Sequence, residues 1–245
     1  MLGIIGATDK GLMRATNEDR FAGEVFAPDF AYGVVCDGMG GENGGGVASG
    51  IACEEIRRMA ENARRGLDER SVYLLLETAI STANIMVYDK AVQEPGDESL
   101  RGMGTTVCLA VVSGATAFIA NVGDSRAYLL RGEALRQLTT DHTVVQMMVD
   151  RGEITPEEAI THQSRNLITR AVGVDRTVDI SYSTAELEPG DILLLCSDGL
   201  YNMVPGDLLP GLLRRCVAED DGSCLLDEAN RRGGRDNITA VVLYK

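Results

Sequence analysis

The chain has 245 residues, 44% of them hydrophobic, enough for one large core or two small ones, which excludes a disordered or fibrous protein. Its net charge of −14 argues against nucleic acid or an anionic membrane as the main partner. The same charge would repel a phosphate ester unless bound cations invert the local field. No apolar run approaches the roughly 18 residues of a membrane helix. No basic leader precedes an apolar stretch in "MLGIIGATDKG", so a cytoplasmic protein without membrane insertion is expected.

Strands are predicted over 4–9, 19–26 and 31–36, short runs rich in Val, Ile and Phe and punctuated by Gly or Asp. Two helices follow. Ala48, Ala52, Ile56, Met59 and Ala63 share one helical face, as do Val72, Leu75, Leu76, Ala79, Ala83, Met86 and Val87. Further strands are predicted over 105–112, 116–122, 126–130, 135–138, 178–183, 191–196 and 237–244. Consecutive strands linked by short turns, with helices grouped apart, indicate an α+β fold of antiparallel sheets between helical layers. The segment 143–170 is polar and helical. Thr155-Pro156-Glu157-Glu158 marks a helix start there, with a Thr cap, Pro at the first position and acids at the positive end of the dipole. It reads as a surface insertion, either a bystander or a lid. The whole chain is expected to be one domain over residues 1–245. The six cysteines include no Cys-x-x-Cys pair and three lie in apolar runs, so they read as small buried hydrophobes.

The chemistry concentrates in carboxylates at strand ends. "VVCDGMGG" places Asp37 at the end of an apolar run and then strips the chain of side chains. Alone, Asp37-Gly38 reads first as a turn. But "IANVGDSR" ends on Asp124, "LLLCSDG" on Asp198, "GGRDNITAVVL" sets Asp236 before the last strand, and "RATNEDR" sets Glu18 and Asp19 before the second. If these ends align, the carboxylates converge and raise one another's pKa unless cations neutralise them. With two histidines and oxygen donors dominating, the ions would be hard, Mg²⁺ or Mn²⁺. No Asp-x-Asp-x-Asp-Gly calcium loop is present. Two such ions can clamp a phosphoryl group for in-line attack. Arg14 could bind phosphate through its planar fork, or simply pair with a nearby acid on the surface.

These runs resemble the metal-dependent type 2C protein serine/threonine phosphatases, in the bacterial branch. The matching stretches are "RATNEDR", "VVCDGMGG", "MGTTVCLAVV", "IANVGDSRAYLLR", "LTTDHTVVQMMVDRGEITPEEA", "LLLCSDGLYNMV" and "GGRDNITAVVL", in the family's order. The resemblance implies a β-sandwich of two antiparallel sheets flanked by helix pairs, with 143–170 as the flap. It implies that Asp37 bridges two Mn²⁺ or Mg²⁺ ions, that the Gly38 carbonyl serves one of them, and that Asp198 and Asp236 serve the other. Asp124, with Asp198, would help hold a third, weaker ion. Glu18 and Asp19 would orient metal-bound water, and Arg14 would hold the phosphate. Hydrolysis of phosphoserine or phosphothreonine would proceed by direct attack of a bridging hydroxide. The family further implies a stand-alone monomer acting on phosphoproteins and opposing a serine/threonine kinase. The alternative is a silent phosphatase-like module that only binds phosphoproteins. Met39 stands where many eukaryotic relatives carry His, so the general acid differs here. His142 and His162 fall in or beside the flap and read as structural.

Overall fold

The computed structural model describes residues 1–40, 44–63, 67–93 and 100–245. Gly41 of the glycine-rich run lies outside them. Two five-stranded antiparallel sheets form the centre. The first orders β1 (Gly3–Asp9), β12 (Ile238–Tyr244), β11 (Ile192–Cys196), β8 (Arg126–Arg131) and β9 (Ala134–Gln137). The second orders β10 (Ser181–Glu186), β7 (Thr116–Val122), β6 (Val107–Ser113), β3 (Phe30–Cys36) and β2 (Arg20–Ala27). Helices α1 (Gly44–Glu61) and α2 (Glu69–Gln93) cover the second sheet, and α5 (Asp198–Tyr201), α6 (Leu209–Glu219) and α7 (Ser223–Arg231) cover the first.

The alternation of side chains explains these layers. On β3, Phe30, Tyr32, Val34 and Cys36 pack toward α1 and α2, while Ala31 and Val35 enter the space between the sheets. On β11, Ile192, Leu194 and Cys196 face α5–α7, and Leu193 and Leu195 face the other sheet. Central strands buried on both faces must be apolar throughout, which is why these runs lack polar alternation. Three packed interfaces give the four layers αββα that the resemblance implied. All six cysteines are buried free thiols.

Three features differ from the sequence expectations. The strand expected at 178–183 begins at Ser181, because β10 takes its register from β7 through Ser181↔Asn121 to Glu186↔Thr116. Val178 and Ile180, whose alternation suggested a strand, instead pack against the α1–α2 core. The strand expected at 105–112 is divided at Thr106. Its first part, β5 (Gly104–Thr105), pairs with β4 (Gly38–Met39) just beyond Asp37. Finally, α2 is long and apolar enough over Glu69–Val92 to span a membrane by length and composition. Its fully buried stripe of Val72, Leu76, Ala79, Ile80, Ala83 and Val87 accounts for that composition as core packing.

Candidate metal centre

The ends of β1, β2, β3, β11 and β12 meet at one edge of the sandwich. The loop from Lys10 to Asp19 crosses the turn that carries Asp236. Gly11 has φ +76°, and a Cβ there would stand 2.1 Å from the Asp236 carbonyl oxygen. Leu12 N–H donates to the Gly234 carbonyl (2.8 Å), which locks the loop onto that turn. Arg14 is thereby hung over Asp236, and its Nη2 donates to Asp236 Oδ2 at 2.7 Å. That bond is the main cause that raises the Arg14 pKa.

The glycines after Asp37 have a steric reason. A Cβ on Gly38 would stand 2.1 Å from the Gly45 carbonyl oxygen in the first turn of α1, and 2.7 Å from the Glu18 carbonyl oxygen. A Cβ on Gly45 would in turn meet the Gly38 carbonyl oxygen at 2.7 Å. Three backbones cross here, and only glycine admits the approach. The crossing sets Glu18 against the start of α1, where Gly46 N–H donates to Glu18 Oε1 at 3.3 Å. The Ser49 hydroxyl donates to the Glu18 carbonyl. Asp37 is anchored by its backbone: its N–H donates to Thr106 Oγ1 at 3.0 Å, and its carbonyl accepts from Thr106 N–H and the Thr105 hydroxyl.

The carboxylates share one electrostatic environment. Asp37 is pushed well above the usual range by burial, then by the charges of Asp19, Asp198, Asp124 and Asp236. Burial pushes Asp198 up to about 8, with Asp124, Asp236 and Asp19 adding to it and Arg14 opposing. Asp19 is raised to about 6, chiefly by burial. It is 1% exposed, its Oδ2 accepts from the Ser197 hydroxyl at 2.7 Å, and its Oδ1 is a buried oxygen with no hydrogen-bond partner. Asp124 rises to about 6 by burial and by Asp141. The sequence-derived residues Glu18, Asp19, Asp37, Gly38, Asp124, Asp198 and Asp236 thus lie at one edge, with Arg14 against Asp236.

This donor set fits hard cations. An unsatisfied buried carboxylate oxygen and mutually repelling acids are what positive charge would relieve. Among the described residues, no three side chains already close on one point as a prebuilt cage would. Oxygen donors of this kind, with waters completing the shell, suit Mg²⁺ or Mn²⁺.

Two residues escaped the sequence reading. Asn237 is 6% exposed, and its Nδ2 donates to the carbonyls of Lys10 (2.8 Å) and Thr16 (2.9 Å). Its Oδ1 accepts from Glu18 N–H at 2.9 Å. It therefore ties the Arg14–Asp19 loop to the Asp236 turn. An amide between Asp236 and the mostly apolar last strand is the available signal. Asn202 Nδ2 donates to Asp198 Oδ2 at 3.1 Å from the end of α5.

His142 is structural, as its place in the sequence suggested. Its Nδ1 accepts from Gly123 N–H (3.0 Å) beside Asp124, its Nε2 lies 2.8 Å from Ser181 Oγ, and its carbonyl accepts from Thr169 N–H. Burial, then Arg170, lowers its pKa to about 4. The unfolded state therefore binds its proton first, so this contribution is present above about pH 6.5 and is lost as pH falls toward about 4. The stability advantage of the wild type over His142→Asn is expected to be largest near neutrality and to shrink across that window. Urea titrations at several pH values check it, and a gap independent of pH would contradict the assignment.

An αββα sandwich with a rim of hard-ion carboxylates and one arginine defines the class: a metal-dependent hydrolase of phosphoric monoesters. The sequence model described as protein phosphatase 2C matches residues 13–218. The chain belongs to that family and is a protein serine/threonine phosphatase. The match ends before Asp236, whose place in the site rests on geometry. The chain is 36% identical over 243 residues to the serine/threonine phosphatase stp of Listeria monocytogenes, covering 97% of this chain and 94% of that protein. Its fold is similar to the crystal structure of the serine/threonine phosphatase Stp1 from Staphylococcus aureus, with a TM-score of 0.91 at 35% identity over 100% of this chain and 95% of the other. It is also similar to the catalytic domain of the phosphatase PstP in complex with two manganese ions, with a TM-score of 0.83 at 34% identity over 99% and 97% of the chains.

Proposed function

We propose that this phosphatase works with two Mn²⁺ or Mg²⁺ ions on its carboxylate rim. Asp37, the Gly38 carbonyl, Asp198 and Asp236 would hold them. Asp124, with Asp198, would support a weaker third ion. The observation that carries the reading is the convergence of four aspartates on Asp37 beside the unpartnered Asp19 Oδ1. When bound, such ions supply a hydroxide nucleophile at neutral pH and neutralise charge on the phosphoryl oxygens.

The chain's own residues do the rest. Asp37 presents its carboxylate from a backbone fixed by Thr105 and Thr106. Glu18 and Asp19, braced by Gly46 and Ser197, orient attacking water. Arg14 holds Asp236 through an exposed contact, with its own side chain 53% exposed. With Asp236 engaged as a metal ligand, the Arg14 guanidinium would be available to fork onto the substrate phosphate. Met39 cannot donate a proton, so protonation of the leaving alkoxide falls to water. Residues 143–170 serve as the flap of a single catalytic domain. Family likeness supports a monomer in the cytoplasm acting on phosphoproteins against a serine/threonine kinase.

The first experiment is hydrolysis of p-nitrophenyl phosphate and of a phosphothreonine peptide with Mn²⁺, with Mg²⁺ and with EDTA. Turnover that requires a divalent ion and vanishes in EDTA is expected. Turnover that persists in EDTA after removal of bound metal would defeat the proposal.

A further inference from the structure

A cavity of about 450 Å³ opens between the flap and the metal centre. One end is formed by Asp124, Tyr201 and Asn202, and Asn202 holds Asp198. The other wall is the flap, which consists of α3 (Val144–Asp150) and α4 (Pro156–Thr161). Val145 and Val149 on α3 stand at i and i+4. Pro156, Ala159 and Ile160 on α4 stand at i, i+3 and i+4. Each set is one helical face, and both line the cavity.

The face on α4 has no partner in the core. No residue of this helix is buried, and Ile160 is 70% exposed. Yet the helix is carefully specified: Thr155 and Glu158 form a reciprocal capping box and Pro156 opens the first turn. A well-capped helix whose apolar stripe is turned toward a cavity beside the catalytic rim is placed for a ligand's side chain. The charged side chains of the cavity are already engaged. Arg126 forms a bidentate pair with Asp141, its closest contact 2.6 Å, Arg165 donates to the Ile160 carbonyl at 3.2 Å, and Asp124 belongs to the carboxylate rim. Beside them the cavity offers the apolar stripe.

Resting on the phosphatase reading above, we infer that this cavity is the subsite for the polypeptide flanking the phosphorylated residue, and that it selects an apolar side chain there. Phosphoserine or phosphothreonine enters over the rim, and a neighbouring Leu, Ile or Met of the same substrate packs against Val149, Ala159 and Ile160. Burying one such side chain is worth about 1.5–3 kcal/mol, or roughly 10- to 100-fold in kcat/KM.

The test uses the full chain with Mn²⁺. Phosphothreonine peptides carry Leu, Ala, Glu or Lys at each of the flanking positions in turn, and p-nitrophenyl phosphate serves as a substrate without flanks. Wild type is expected to favour Leu at one or two positions by about tenfold or more over Glu and Lys. Ile160→Asp should remove that preference through KM, leaving kcat and p-nitrophenyl phosphate hydrolysis unchanged, and Ile160→Leu should retain it. Equal rates on all peptides, or a preference that survives Ile160→Asp, would overturn the inference. So would loss of p-nitrophenyl phosphate turnover in Ile160→Asp, which would make α4 a support of the metal centre. Should wild type itself lack turnover with any ion, the phosphatase mechanism fails separately. Binding of the same peptides, read by fluorescence polarisation, then decides the subsite by the same Leu preference.

Discussion

Asp198→Asn is expected to abolish turnover on every substrate, by on the order of 10³-fold or more, and to remove the stabilisation by Mn²⁺ while leaving the fold intact. Asp198 sits at the start of α5, among Asp124, Asp236 and Asp19, and burial with these charges drives its pKa to about 8. A carboxylate so placed is costly without a cation and valuable with one. The isosteric amide keeps an oxygen for Asn202 Nδ2, so the α5 turn is preserved. It cannot supply the negative charge. For the wild type, Mn²⁺ at about 100 times its dissociation constant adds about 2.7 kcal/mol, a rise of about 5–10 °C in Tm for a chain of this size. In Asp198→Asn that rise should be small, and the metal-free variant should melt no lower than the metal-free wild type, because one repelling charge is gone. Calorimetry with Mn²⁺ and with EDTA reads both. A full Mn²⁺ response in the variant would remove Asp198 from the ligand set, whatever the activity did.

Asn237→Ala is expected to be the most damaging substitution outside the carboxylates. It deletes three part-buried hydrogen bonds and leaves the Glu18 N–H and the Lys10 and Thr16 carbonyls without their partner. At about 1 kcal/mol for each bond, with a further desolvation penalty, the cost is about 3–5 kcal/mol. The loop it holds carries Arg14, Glu18 and Asp19, so turnover should fall with stability. Asn237→Asp separates the two carbonyl contacts from the third. Its carboxylate can still accept from Glu18 N–H but cannot donate to either carbonyl, and it adds charge beside Asp236. It should be destabilised at least as much as the alanine variant. Urea denaturation of the two variants measures this, and a loss below about 1 kcal/mol in Asn237→Ala would show that the loop is held by other contacts, such as Leu12 on Gly234.

Much of this molecule is legible in one dimension because its elements are strongly patterned. The runs of β3 and β11 are apolar on both faces, and the stripes of α1 and α2 repeat at the helical period. Both patterns follow from local geometry and burial and survive any detail of packing. The carboxylates were legible for a related reason: an acid ending an apolar strand is conspicuous wherever the strand goes, so Asp37, Asp124, Asp198 and Asp236 could be collected before their meeting place was known. Edge strand β10 is shifted from the expected bounds because its register comes from its neighbour β7, and Val178 and Ile180 carry the same alternation for another purpose.

By itself, the sequence determined the fold class, the family, the set of acids and the hardness of the ions they suit, since each depends on residue type, order and period. Tertiary structure alone decided the rest. It showed that Gly38, Gly45 and Glu18 cross within van der Waals contact, that Asn237 binds two loops more than 200 residues apart in the chain to each other, and that the apolar face of α4 turns toward the catalytic cleft. Those facts depend on which distant backbones come within a few ångströms, and local sequence carries no term for that distance.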